Sequence, residues 1–83
     1  MEYQTIRLYY ADYIHRQWSR WMTYMFNRCT RNDDGTITIP AWAVTRWQRQ
    51  IATSLADLPS DEQESDLREA DKLLTAMIRF DWE

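Results

Sequence analysis

The sequence is poor in the residues that break helices or build reactive centres: one glycine, two prolines, one cysteine and one histidine among 83 residues. So little glycine and proline argues against a turn-rich β architecture and for long uninterrupted helices. The lone Cys29 forbids an internal disulfide and points to a reducing compartment. One cysteine and one histidine cannot assemble a Cys/His zinc site, so no metal is expected. The chain has no apolar run of about 18 residues, the minimum for a membrane-spanning helix, so no membrane association is expected. Met1-Glu2-Tyr3-Gln4-Thr5 lacks the basic stretch and apolar run of a secretion signal, and the expected location is the cytoplasm.

The catalytic inventory is equally thin. A glycine-rich phosphate cradle, a Ser-His-Asp set and a paired-histidine metal helix are all missing from the sequence. His15 and Cys29 form the one conceivable Cys–His dyad, but on a continuous helix their separation is about 21 Å at ~1.5 Å per residue. A nucleophile and its base need hydrogen-bond contact, which excludes the pair. His15 by itself reads first as a core histidine and second as a ligand donor. Thr30–Gly35 superficially suggests a calcium loop. With Gly35 in the invariant sixth position, Thr30 takes the first ligand position and Ala41 the last, where calcium requires carboxylates. The segment is a turn. A non-enzymatic protein with no catalytic residues and no cofactor is expected.

What the chain does have is aromatic mass: five Trp, five Tyr and two Phe. Each can bury roughly 150–250 Å², so a few rings can carry the small core of one domain spanning residues 1–83. The net charge of −3 is unevenly spread. Residues 1–58 carry seven arginines against five acids, whereas residues 59–83 carry eight acids against three bases. One end attracts anions and the other repels them. The overall acidity argues against direct nucleic-acid binding through Arg16, Arg20, Arg28, Arg31, Arg46 and Arg49.

Periodicity predicts three helices. The first runs from about Tyr9, or earlier, to about Cys29, with Tyr10, Ile14, Trp18, Trp21, Met22, Met25 and Cys29 on one face. Asn32-Asp33-Asp34-Gly35 signals a tight turn, and Thr36-Ile37-Thr38-Ile39 an extended connector without a sheet. Pro40 suits the first turn of a second helix, whose buried face is read as Val44, Trp47, Ile51 and Leu55. Ser60 with Gln63 reads as a capping box for a third helix. Its inward stripe is read as Leu67, Ala70, Leu74, Met77 and Ile78, with Glu62, Asp66 and Glu69 on a solvated face. The expected fold class is all-α: a compact three-helix bundle with a short extended connector between helices 1 and 2.

Trp42, Arg46 and Arg49 fall together on a face distinct from the Val44–Trp47–Ile51 stripe. An exposed indole beside two guanidiniums can stack a base and hold its phosphate. The competing reading packs Trp42 on the third helix, with the arginine stems covering it.

Arg46-Trp47-Gln48-Arg49-Gln50-Ile51-Ala52-Thr53, then Leu58, Glu64-Ser65-Asp66 and Ala70-Asp71-Lys72, resembles the ryanodine receptor repeat (RyR) domain in its small stand-alone phage and prophage form. Ala11, His15, Trp18 and the Asp34-Gly35-Thr36 to Ile39-Pro40 connector are similar to the same family, so the resemblance spans about residues 9 to 78. It implies a helical domain that recognises a nucleotide-type ligand through aromatic stacking, and in a phage a role countering host defence from the host cytoplasm. His15, Trp18 and Trp47 match the pattern. Leu55, Gln63 and Leu67 stand where the family usually has an aromatic, a lysine and an arginine. The resulting expectation is a ligand site at His15, Trp18, Trp42, Arg46, Trp47 and Arg49. The alternative is a protein–protein inhibitor or adaptor that docks on a host defence complex such as a CRISPR effector. A pocket on so short a chain is shallow, so a homo-oligomer would be needed to enclose a small ligand.

Overall fold

A computed structural model describes residues 2–82. Along the chain come α1 (Tyr3–Arg28), β1 (Thr30–Arg31), β2 (Ile37–Thr38), α2 (Ala41–Ile51) and α3 (Ser60–Trp82), with a 3₁₀ turn at Leu55–Asp57 before α3. Among the described residues the protein is all-α, 77% helical, with three helices and a short two-strand piece between the first two. No described helix is long and apolar enough to cross a membrane. Two compact units divide the chain. One combines α1 up to Trp18 with the segment from Pro59 onward, and the other is Ser19–Leu58.

In the first unit α1 and α3 run antiparallel, because contacts climb one helix as they descend the other. The Tyr9 hydroxyl donates to the Ala76 carbonyl at 2.8 Å, and the Tyr13 hydroxyl reaches the Glu69 carbonyl at 3.5 Å. The Tyr9 ring lies 4.7 Å from Phe80 and 5.3 Å from Tyr10. Tyr13 is 5% exposed, and Ile6, Tyr9, Tyr10 and Gln17 on the same side of α1 are half-buried.

This packing departs from the periodic stripes. On α1 the expected face divides: Ile14, Trp18 and Trp21 are exposed while Tyr10, Met22, Met25 and Cys29 are half-buried; on α3 Leu67, Ala70, Leu74, Met77 and Ile78 are all exposed. The side of α3 facing α1 instead carries buried Glu62, half-buried Glu69, buried Ala76 and half-buried Phe80, so the acidic row is partly interior. Tyrosine explains the exchange. Its ring supplies apolar area while its hydroxyl finds a backbone acceptor, which lets a half-polar face pack where an aliphatic stripe was expected.

In the second unit the turn Asn32–Gly35 closes a two-stranded antiparallel ladder, pairing Thr30 with Thr38 and Arg31 with Ile37. The connector therefore forms a minimal hairpin where an unpaired extended stretch was expected. Gly35 takes φ +87°, a conformation costly for any residue with a Cβ. The Asn32 side-chain amide donates to the Thr36 and Thr38 hydroxyls at 2.9 and 3.0 Å, bracing the turn from inside.

Both later helices start on proline. Pro40, at φ −66° and ψ 151°, is the N-cap of α2, and its carbonyl accepts from the Ala43 and Val44 amides. The Pro59 carbonyl accepts from the Glu62 and Gln63 amides in the same way. Ser60 is thus the first helical residue and not the cap. The buried side of α2 is also turned from expectation. Ala43 is 0% exposed with Arg46, Trp47 and Gln50 half-buried beside it, whereas Ile51 is 86% exposed, and Val44 and Leu55 are exposed as well. A methyl side chain lets backbone approach closely, which a valine or isoleucine at the contact would prevent.

Candidate ligand-binding site

The proline cap and the hairpin before it fix where α2 begins, and α2 carries four of the six candidate residues. Trp42 and Trp47 are five positions apart, or ~140° around a helix at 3.6 residues per turn. Their indoles are long enough to meet regardless: the ring centroids lie 6.4 Å apart with the planes at 67°. Edge-to-face contact is the arrangement that the ring quadrupoles favour. Trp47 is half-buried and anchors the pair, while Trp42 remains 49% exposed.

Arg46 and Arg49 follow Trp42 by four and seven residues, the spacing that returns to one side of a helix. Arg46 is half-buried and Arg49 exposed. The α2 surface thus offers an accessible indole, braced by a second indole, on the side that carries two guanidiniums. Such a set can stack a planar ring and attract an anionic group attached to it.

His15 and Trp18 belong to the first unit. Their rings are 6.0 Å apart and nearly parallel at 22°, and both residues are exposed. The core-histidine reading of His15 is therefore corrected. The residue sits on α1 away from the side that Tyr9 and Tyr13 turn to α3, and its ring lies along an indole at the surface.

Two local features escaped the sequence reading. The Arg28 guanidinium lies 4.4 Å over the Tyr24 ring, an i,i+4 cation–π contact that helical spacing would have revealed. The Asp34 carboxylate accepts from the Thr36 hydroxyl at 2.6 Å and the Thr36 amide at 3.0 Å. These two bonds, the hydroxyl first, hold its carboxyl below the ordinary aspartate value of 3.8. An Asp two residues before a Thr in a turn is the signal that would have found it.

No family model, no curated protein and no solved structure matches the chain.

Proposed function

We propose that this protein is a non-enzymatic binder of a nucleotide-type ligand, of the RyR-like phage kind, that sequesters a signalling nucleotide in the host cytoplasm to counter host defence. The observation carrying this reading is the half-exposed Trp42 indole braced by Trp47 on the helix that also bears Arg46 and Arg49. A base stacks on the open face of Trp42, and the guanidiniums answer its phosphate. His15 and Trp18, already stacked on each other, supply a second aromatic surface of the same character.

Calorimetry and tryptophan fluorescence against adenine mono-, cyclic and oligonucleotides test the proposal. Saturable heat with quenched fluorescence for at least one member is expected. The absence of heat and of any thermal shift across the panel ends it. The exposed Trp21, beyond the nucleotide set, favours a second reading as an inhibitor or adaptor on a host defence complex, since indoles at a surface are frequent hot spots. A stoichiometric host protein retained in pull-down, together with an inert nucleotide panel, would favour that reading instead.

A further inference from the structure

We infer that the outer side of α1 within the second unit, built on Trp21, Tyr24 and Arg28, binds single-stranded nucleic acid. At ~100° per residue, Arg20, Trp21, Tyr24, Asn27 and Arg28 fall within about a third of the circumference of α1. All five are exposed and belong to the same unit. Met22 and Met25, outside that arc, are half-buried. The interior of this unit thus takes two methionines and leaves an indole 56% and a tyrosine ring 43% exposed. Exposed rings of this size are what unpaired bases stack on. Arg28 is already ordered for the same task. Its guanidinium lies 4.4 Å over the Tyr24 ring, a contact that restrains the planar group a base or phosphate would meet.

Charge selects a polyanion as the occupant. Residues 13–32 include Arg16, Arg20, Arg28 and Arg31 and not one Asp or Glu. Residues 19–58 as a whole hold five arginines against three aspartates. The net acidity of the chain is contributed outside this unit, and the local balance is positive. Arg20 and Arg28 stand about 12 Å apart along the axis, with both rings between them. A strand laid along the helix therefore meets a cation at each end and stacking faces in the middle. Such contacts are indifferent to sequence, since every base has a π-face. An acidic protein would use the arginines and leave the rings without a matching partner, and a duplex keeps its bases paired and out of reach. None of these residues belongs to the α2 set assigned to the nucleotide, so either reading can fail without the other.

Fluorescence anisotropy of labelled mixed-sequence strands of about 12 nucleotides, as DNA and as RNA, titrated with the full chain tests the inference. Saturable binding of either strand is expected, and the matching duplex should bind at least about fivefold more weakly. Trp21→Ala weakens strand binding by about five- to a hundredfold, whereas Trp21→Phe keeps a stacking face and most of the affinity. Arg28→Ala lowers the slope of log affinity against log salt by about 0.7. Arg28→Lys retains the charge and restores that slope, but without the planar group it does not restore the affinity. The same variants leave the response to the mononucleotide panel unchanged, which separates this site from the one on α2. No binding of either strand overturns the inference, as does an affinity indifferent to Trp21→Ala and Arg28→Ala. Polyglutamate that competes as well as the strand overturns it too, because charge alone would then account for the contact.

Discussion

The hydroxyl of Tyr9 donates to the carbonyl of Ala76 across 67 residues of sequence, and with the Tyr13 hydroxyl on the Glu69 carbonyl it joins α1 to α3. The bond replaces a water contact on a carbonyl already engaged in its helix, so its net value is about 1 kcal/mol. Tyr9→Phe keeps the ring against Phe80 and removes only the bond. The expected outcome is a fall in melting temperature of roughly 4–8 °C, followed by circular dichroism. Tyr9→Ala, which also removes the ring, should fall further; equal effects would mean that the ring contributes nothing.

The limits around the connector were legible in the sequence because turns and breakers are local, whereas α1 starts at Tyr3, well ahead of Tyr9, and Ser60 lies inside α3 and does not cap it. The Asn32–Gly35 turn and the prolines before α2 and α3 announce themselves within a few residues. Which side of each helix packs was not legible. α1 carries Ile14, Trp18 and Trp21 on one side and Tyr9 and Tyr13 on another, and spacing alone cannot rank two aromatic sides. The structure favours tyrosines whose hydroxyls reach carbonyls of α3. At the candidate site, spacing assigned Trp42 and Trp47 to different sides of α2, which is correct for their Cα positions. The length of the indole, invisible to a helical wheel, brings the rings together.

Gly35 gives a prediction with a single cause. A Cβ built at this position meets nothing within 4 Å, so a substitution there changes backbone energy without a clash. With φ at +87°, Gly35→Ala should destabilise the hairpin by about 1–2 kcal/mol. Gly35→Asn should cost less, because asparagine tolerates the left-handed region. Amide hydrogen exchange at Thr36 and Thr38 reads the effect locally, and equal exchange in all three proteins would refute it.

Asp34 sets a pH dependence whose sign follows from its hydrogen bonds. Its folded carboxyl lies below 3.8, so the turn gains stability while the carboxylate is charged, and that gain is fully present above the ordinary value. As pH falls from 3.8 through the lower folded value, protonation removes the acceptor and the gain disappears. Proton-detected titration of Thr36 should report a midpoint below 3.8, and Asp34→Asn should abolish this step. A Thr36 amide that titrates at or above the ordinary value would contradict the geometry.

The decisive prediction for the nucleotide reading compares two indoles. Trp42 is half-exposed, so Trp42→Ala should leave the helical content of the protein nearly unchanged. A base stacked on that ring is worth ~1–3 kcal/mol, so affinity for the best nucleotide of the panel should fall by about five- to a hundredfold. Trp47→Ala removes the brace and should weaken binding with some loss of stability, whereas Arg49→Ala should weaken binding and flatten its salt dependence. Trp18→Ala tests the other candidate surface, because Trp18 stacks with His15 on α1 whereas the Trp42–Trp47 contact lies within α2. If Trp18→Ala abolishes binding while Trp42→Ala leaves it intact, the ligand belongs to α1 and the α2 assignment is wrong.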